Sequence, residues 1–408
     1  MTAENSNGRS VLKKGLFIIL AVLVLQIPVL LIKGLINDRE DISSEAETEV
    51  SKQWGGSQTI YPPELRIPYK VKKTDSNGNF AFISEVKTLQ PEQADVNGYV
   101  KVTTLKRSIY EIPVYQADMK IDGSFVIDED DVVNHDGKIY LYLPVGETMG
   151  IEDNITAVVD GKDYMFDLSE AGLRVELETG ALTAGQEIQY SINLRTRGAA
   201  QLNFRPKAAT FKVNLTSDHP SPGFNGDFLP VERTVTDNGF EAKWVVTDFN
   251  TYGVINPQFH VELVVPVSQY QQTTRATKYS FLIIIFVMVA IFLVETVSRQ
   301  EVTYIQYVVT GLSLCLFYLL LLSISEYLAF SWAYLIASGM TVVALGGYFI
   351  GFLRSGIAIA CTTVVAALYG FIYILLNLET GSLLVGSLAL FAILSVIMYF
   401  TRKNNMRD

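Results

Sequence analysis

The sequence predicts a multi-pass membrane protein of the α plus β class. It has six transmembrane helices, one N-terminal and five C-terminal, and a large β-rich, sandwich-like extracytoplasmic domain. Three observations lead to this fold class. Five apolar stretches follow one another in the last 130 residues, a sixth lies near the N-terminus, and the long segment between them is polar. A helix needs roughly 20 apolar residues to cross the hydrocarbon core of a bilayer.

Each apolar stretch is long enough for one transmembrane helix. The first covers 15–36, and no small-x-small cleavage pattern follows it, so we predict an uncleaved anchor rather than a signal peptide. The connections between the other five are so short that consecutive helices must be antiparallel neighbours. These five helices are predicted at 279–297, 304–323, 328–350, 357–376 and 382–400. Residues 37–278 form the predicted aqueous domain.

The distribution of basic residues sets the predicted orientation. With the N-terminal segment 1–14 and the tail 401–408 in the cytoplasm, every short loop that carries Lys or Arg also lies inside. The short outer loops then contain Glu326 and Glu379 and no basic residue. The sequence therefore predicts a membrane protein with both termini cytoplasmic and residues 37–278 on the opposite, extracytoplasmic side.

The charge of the aqueous domain limits its partners. Of the 42 acidic residues 36 lie in 37–278, and of the 32 basic residues 23 do, which gives this domain a net charge of −13. Nucleic-acid binding needs a basic surface, and anionic lipid attracts basic segments. We therefore expect no nucleic-acid partner. The lipid bilayer itself is the expected environment of the helices.

Alternating apolar and polar residues predict β-strands through most of the aqueous domain. Asn-Gly and Asp-Gly pairs tolerate positive φ and favour tight turns between strands. Such pairs occur at residues 77–78, 97–98, 122–123, 136–137, 160–161 and 238–239. Strands at this spacing predict antiparallel, sandwich-like sheets, with a possible division into two subdomains near 145–155. Residues 37–53 are instead predicted to continue the first helix into water.

No catalytic or metal-binding motif is evident in the sequence. The three histidines, His135, His219 and His260, are far apart and form no His-x-x-x-His pair. There is no Gly-x-Ser-x-Gly elbow and no phosphate-binding loop. We therefore predict a protein that is not an enzyme and that needs no cofactor or metal.

Charged residues in the helical region fall at predicted membrane interfaces. Glu295 lies three residues before the end of its helix, close to Arg299, and Glu326 lies in an outer loop. Arg275 and Lys278 precede the second helix. A charge near the bilayer centre would suggest an ion path, but none is predicted there. Interface anchoring is therefore the favoured interpretation.

An unusual loop rich in proline and aromatic residues covers 218–230. Three prolines and two glycines constrain it, and it displays two phenylalanines and a leucine. One interpretation is a rigid connector whose phenylalanines fill the core; the other is a loop that contacts a partner or the membrane. The candidate partner-contact residues are Pro222, Phe224, Gly226, Asp227, Phe228, Leu229 and Pro230.

At this loop the sequence resembles the CreD family of bacterial inner-membrane proteins. Residues 222–230 fit the family pattern Pro-x-Phe-x-Gly-x-Phe-Leu-Pro. Further similar motifs lie at 58–68, 109–115, 275–279, 295–296 and 306–326. The chain departs from the family pattern at Pro62, where glycine is usual, and at His219, where tryptophan is frequent. These two side chains are therefore given no chemical role.

The resemblance implies a role in cell envelope integrity and in the response to envelope stress, and it supplies no catalytic residues. The leading hypothesis is a non-enzymatic protein that binds an unidentified periplasmic or membrane partner. The alternatives are a transporter or channel component built on the helical bundle, and a membrane-bound enzyme acting on lipid or peptidoglycan. The enzyme hypothesis needs carboxylates, for example Asp227, Glu241 and Glu262, to be brought together in a buried site. The sequence does not predict an oligomeric state.

Overall fold

The computed structural model describes residues 2–74, 80–132, 138–169, 172–178, 182–263, 269–298, 300–378, 384–388, 391, 395 and 398. The chain divides into two compact units. We call residues 1–43 together with 267–408 the helical unit, and residues 44–266 the β unit.

Five helical segments among the described residues are long and apolar enough to cross a membrane. The first includes α1 (Thr2–Val24) and α2 (Gln26–Trp54), which continues into the polar stretch as the sequence predicts. The others are α5 (Ser280–Ser298), α6 (Tyr304–Ser325), α7 (Phe330–Ile350) and α8 (Ser355–Asn377). The predicted sixth span, 382–400, lies largely outside the described residues, so the count of six stays a prediction.

The first predicted span is interrupted at Leu25, between α1 and α2. Pro28 explains the break, because proline has no N–H to donate to the Val24 carbonyl and its ring clashes with that carbonyl. Two side chains bond to carbonyls beside the break. Gln26 Nε2 donates to the Val22 carbonyl at 3.2 Å, and Cys315 Sγ lies 3.6 Å from the Leu25 carbonyl.

The described residues of the β unit form three sheets. Their strand orders are β1-β12-β17-β14, β3-β2-β6-β10-β9 and β15-β16-β13-β4-β5-β11-β7-β8. The strands are β1 (Gln58–Ile60), β2 (Glu64–Thr74), β3 (Phe80–Leu89), β4 (Gln93–Arg107), β5 (Tyr110–Val126), β6 (Ile139–Pro144), β7 (Thr156–Val159), β8 (Lys162–Met165), β9 (Asp167–Ser169), β10 (Gly172–Leu177), β11 (Glu187–Ala199), β12 (Gln201–Phe204), β13 (Thr210–Ser217), β14 (Pro222–Gly226), β15 (Glu232–Thr236), β16 (Gly239–Thr247) and β17 (Phe259–Leu263). Short helices α3 (Asp248–Thr251) and α4 (Gln269–Lys278) follow β16 and β17 along the chain.

The pairing of these strands is antiparallel with two exceptions among the described residues. Strand β1 is parallel to β12, and β4 is parallel to β13. A β-rich domain is therefore present, while its sandwich arrangement stays a prediction. One buried core contains residues from both sides of the predicted division near 145–155. Phe259 lies in this core, with ring-centroid distances of 5.3 Å to Phe204 and to Trp244.

Two predicted turns are wrong. Asn97-Gly98 lies within β4, and Asp122-Gly123 lies within β5. Glycine serves close packing at the second position, because a Cβ on Gly123 would lie 2.6 Å from Tyr190 Cζ. The Tyr190 side chain packs against Gly123, and its hydroxyl donates a hydrogen bond to the Gln93 carbonyl at 3.2 Å. The turns at 160–161 and 238–239 are present, and those at 77–78 and 136–137 lie outside the described residues.

Candidate partner-binding surface

The predicted contact loop begins as the edge strand of the four-stranded sheet. Strand β14 pairs with β17, with Phe224 opposite Val261 and Gly226 opposite Phe259. Because β14 is last in its sheet, Pro222 removes no inner hydrogen bond, and proline is confined to such edges. The first half of the loop is therefore regular structure.

Both phenylalanines of the loop turn toward the core. The Phe224 ring lies 5.6 Å from the rings of Phe240 and of Trp244, both edge-on. The Phe228 ring lies 6.4 Å from that of Phe259. Both side chains are half-buried against the core. This packing matches the interpretation of a connector whose phenylalanines fill the core.

Gly226 and Asp227 fix the end of this strand. Gly226 has a φ of +108°, and a Cβ there would lie 2.6 Å from the Gln258 carbonyl oxygen. The Asp227 N–H donates to the Gln258 carbonyl at 2.8 Å, and the Gln258 N–H donates to Asp227 Oδ2 at 2.9 Å. These two bonds join the predicted loop to the segment between α3 and β17.

Exposed apolar residues lie near this clamp in sequence, after Asp227 on the predicted loop and before Gln258 on the adjoining segment. On the predicted loop they are Leu229 and Val231, which are 64% and 61% exposed; Pro230 between them is half-buried. On the adjoining segment, Phe249, Tyr252 and Ile255 are 95%, 93% and 89% exposed. We call these five exposed residues the apolar end. Large exposed apolar residues on an ordered segment, such as Phe249, Tyr252 and Ile255, are typical of interaction sites.

The segment that carries three of these residues is held in place by its polar neighbours. Asn250 Oδ1 accepts hydrogen bonds from the Thr247 N–H at 3.1 Å and from its hydroxyl at 2.8 Å. The Asp248 N–H donates to the Ala209 carbonyl at 3.0 Å, and Arg205 Nη1 donates to the Asn256 carbonyl at 3.3 Å. A pre-ordered segment loses less conformational entropy when it binds.

Sequence reasoning missed Phe249, Tyr252 and Ile255. Their spacing of three residues, between the end of a strand at Thr247 and a proline at 257, was the available signal. It was weak, because the same pattern is produced by one turn of helix with a buried face. Only the structure shows that the described residues of the β unit leave this face exposed.

The predicted interface residues Arg275 and Lys278 lie in the last turn of α4. Both are exposed, while Tyr270, Thr273 and Ala276 on the same helix are buried. A short helix with one basic face and one packed face suits a membrane boundary. The next apolar helix begins two residues later.

Glu295 is enclosed by hydrogen-bond donors inside the helical unit. Lys14 Nζ pairs with its Oε1, the Tyr307 hydroxyl donates to Oε2 at 2.9 Å, and the Val302 N–H donates to Oε1 at 3.3 Å. Its side chain is 11% exposed. The predicted neighbour Arg299 lies outside the described residues. Glu295 thus ties α1 to α5 and α6, beyond the anchoring role expected for it.

Glu326 forms an ion pair within the helical unit. Arg39 Nε lies 3.5 Å from its Oε1, so α2 is joined to the end of α6. The side chain of Arg39 is 48% exposed, whereas that of Glu326 is 11% exposed.

The interior of the helical unit also contains hydroxyl groups. Thr310 Oγ1, Tyr318 Oη and Tyr369 Oη are buried and have no hydrogen-bond partner among the described residues. The Tyr334 hydroxyl donates to the Tyr369 carbonyl at 2.9 Å, and the ring of Phe317 lies 4.5 Å from that of Tyr369.

The carboxylates named for the enzyme hypothesis are all exposed. Asp227 and Glu262 belong to the region of the four-stranded sheet, and Glu241 lies on β16 of the eight-stranded sheet. Glu262 Oε2 accepts a hydrogen bond from Asn225 Nδ2 at 3.1 Å. These three residues form no buried acid pair of the kind that this hypothesis needs.

Comparisons with known proteins agree with the resemblance that the motifs indicate. Residues 10–407 match the family described as Inner membrane protein CreD. The chain is 32% identical to the Inner membrane protein CreD of Escherichia coli strain K12, over 94% of this chain and 90% of that protein.

Solved structures similar to this chain include two of an M1 zinc metallopeptidase from Deinococcus radiodurans. The mutant bound to a Tyr-Ser-Ala substrate has a TM-score of 0.24 and 11% identity, and covers 43% of this chain and 42% of its own. The other has a TM-score of 0.23 and 10% identity, over 47% and 53%. Similarity at this level carries no argument about activity.

Proposed function

Because this chain belongs to the CreD family of inner membrane proteins, we propose that it supports cell envelope integrity and the response to envelope stress by binding another envelope protein, without itself acting as an enzyme. It is a multi-pass protein of the bacterial inner membrane. In the proposed orientation both termini are cytoplasmic and residues 37–278 are periplasmic, because this places the short basic loops inside.

The observation that carries this proposal is the apolar end of the β unit. Three of its side chains are at least 89% exposed on a segment that hydrogen bonds hold in one conformation. Burying these side chains against a partner would be favourable by roughly 25 cal/mol for each Å² of apolar surface removed from water. Aromatic residues that project from an ordered segment are the usual anchors of protein interfaces. The predicted loop contributes the exposed residues Leu229 and Val231, which follow the clamp between Asp227 and Gln258.

The test is complementation of a deletion strain with the triple variant Phe249→Ser, Tyr252→Ser, Ile255→Ser. We expect stable expression and loss of rescue, scored by envelope permeability and β-lactam sensitivity. A matched triple variant at exposed apolar residues elsewhere in the β unit, Val158→Ser, Met165→Ser, Leu168→Ser, should rescue like the wild type. Full rescue by the first variant would reject the apolar end as the working surface.

A transporter or channel component is the second candidate function. The observation that favours it is the set of buried hydroxyls without partners at Thr310, Tyr318 and Tyr369, since polar groups within membrane helices often mark transport routes. Cysteine-accessibility scanning at Gln306, Thr310 and Asn377 tests it, after the two buried native cysteines are replaced by alanine. Labelling by a water-soluble reagent at Thr310 supports transport, and complete protection there rejects it.

A further inference from the structure

A polar groove crosses the middle of the eight-stranded sheet. Its volume is about 450 Å³, which is within the range of small-molecule sites. The floor is a row of residues that stand opposite one another on neighbouring strands: Asn97 on β4, Lys120 on β5, Asn193 on β11 and Thr156 on β7. With adjacent strands about 4.8 Å apart, this row is about 14 Å long.

One wall of the groove is the segment that precedes β7. Arg195 on β11 holds this wall through an ion pair with Asp153 at 3.1 Å. Gln116 Nε2 donates to Glu152 Oε1 at 3.0 Å and secures the same segment. The wall therefore has a defined position above the floor, and Asn154 projects from it into the lining.

The charges that line the groove neutralise one another. Arg195 pairs with Asp118 as well as with Asp153, and the hydrogen bond that its guanidinium donates to Asp118 is the main reason why the pKa of Arg195 is raised. Lys120 Nζ lies 2.8 Å from Asp122 Oδ1. An anionic ligand would have to compete with these carboxylates for Arg195 and Lys120. A cationic ligand would have to compete with the same two side chains for the carboxylates. The groove is therefore suited to a neutral ligand.

The side chains left available are amides and a hydroxyl. Among the described residues, the side chains of Asn193, Asn154 and Thr156 make no hydrogen bond to protein, and Asn97 uses only its Oδ1, which accepts from Asn214 at 3.0 Å. An asparagine amide both donates and accepts, and so does a hydroxyl. The groove thus offers several donor and acceptor groups at fixed strand spacing.

The position of the groove argues against a peptide. Peptides commonly bind by adding a strand to an unpaired sheet edge, but β4, β5 and β11 are each paired on both sides. The floor consequently presents side chains and no free backbone ladder. Tyr99, opposite Asp118 in the next row, is 45% exposed and offers a flat ring on the same face.

We propose that this groove binds a neutral glycan, whose hydroxyl and acetamido groups pair with the Asn97, Asn154, Asn193 and Thr156 side chains. Ring faces of sugars pack well on an exposed tyrosine, and each sugar carries both donors and acceptors. The proposal does not depend on the apolar end, so either can fail without the other.

The experiment titrates the purified full-length protein in detergent with an N-acetylglucosamine tetrasaccharide, with a glucose tetrasaccharide and with inorganic phosphate. We expect saturable binding of at least one saccharide and none of phosphate. Asn193→Ala and Thr156→Val should each weaken saccharide binding at least tenfold. Gln189→Ala, an exposed change on the same strand and face outside the groove, should bind like the wild type.

Three results would overturn the proposal: no saccharide binding by the wild type at millimolar concentration, wild-type affinity in both groove variants, or phosphate binding that depends on Asn193. Thermal unfolding of each variant shows whether it is folded, and the two groove variants change exposed residues on different strands. Binding of both saccharides indicates recognition of hydroxyls, whereas binding of the acetamido sugar alone indicates recognition of that group.

Discussion

The helical unit exposes large apolar side chains along its helices, whereas the three most exposed large apolar side chains among the described residues of the β unit lie on one short segment, 249–255. Leu31, Ile305 and Val343 are typical of the first pattern, and Phe249 and Tyr252 of the second. In the helical unit, polar groups such as the Glu295 carboxylate and the Tyr318 hydroxyl are buried. Exposed apolar side chains therefore need a different explanation in each unit.

This contrast separates two reasons for exposing apolar surface. Lipid covers the outside of a transmembrane helix, so exposed leucine and isoleucine there need no protein partner. The β unit carries a net acidic charge, and the proposed cover of its apolar end is a protein partner. The buried Glu295 network is the corresponding feature that lipid cannot explain in the helical unit.

The largest expected effect comes from Glu295→Ala. Removing one member of a buried ion pair costs about 3–5 kcal/mol, because the other charge stays buried without a partner. Here Lys14 and Tyr307 both lose their acceptor. Thermal unfolding in detergent measures the loss. Arg39→Ala, which breaks the more exposed pair with Glu326, should cost less than about 1 kcal/mol. Equal effects of the two variants would contradict the buried position of Glu295.

In the β unit, Phe224→Ala and Leu229→Ala should differ although both residues belong to the predicted loop. Phe224 packs against Phe240 and Trp244, so its loss should cost about 2 kcal/mol, less than for a fully buried ring. Leu229 is exposed, so its loss should stay within about 0.5 kcal/mol. Denaturant unfolding of the full chain gives both values. The reverse order would mean that the loop displays Phe224 instead.

Gly226→Ala should destabilise the β unit by about 1–3 kcal/mol, because alanine at positive φ is strained. The added Cβ also approaches the Gln258 carbonyl. Gly161→Ala is the matched control, since φ is positive there too but nothing lies within 4 Å of a Cβ. A smaller loss of unfolding free energy for Gly226→Ala than for Gly161→Ala would show that the backbone at position 226 has room for a Cβ beside Gln258.

The smallest effect should come from a partly exposed carboxylate, Glu85. Hydrogen bonds from Lys73 and then from Tyr69 lower the pKa of Glu85 below its ordinary 4.5. The charged form is therefore favoured in the folded state, and its contribution is present above pH 4.5 and lost as the pH falls through the lowered pKa. The difference in unfolding midpoint between wild type and Glu85→Gln should be small near neutral pH and vanish in acid. A difference that grows in acid would contradict the lowered pKa.

Local sequence patterns predicted the elements of both units well. The predicted helix at 304–323 became Tyr304–Ser325, and the predicted helical continuation over 37–53 lies within α2, which ends at Trp54. Family membership was also recognised, since the motif at 222–230 is specific and is supported by the comparisons. These features depend on residues that are close in sequence, so the pattern contains the information.

What the sequence did not predict depends on contacts between distant residues. Gly123 looked like a turn glycine, but Tyr190 explains it, 67 positions away. The sequence placed Glu295 close to its neighbour Arg299, whereas in the structure its ion-pair partner is Lys14, near the other end of the chain. The exposed face of Phe249, Tyr252 and Ile255 could not be distinguished from a buried one. Periodicity shows that a face is apolar and leaves open whether anything covers it.

The most direct test of the central claim compares two triple variants in one deletion strain. One removes the apolar end through Phe249→Ser, Tyr252→Ser and Ile255→Ser. The other removes the buried hydroxyls through Thr310→Val, Tyr318→Phe and Tyr369→Phe. With both proteins expressed at wild-type levels, we predict that only the first fails to restore the permeability barrier. Failure of the hydroxyl variant together with full rescue by the surface variant would contradict the account and place the function in the helices.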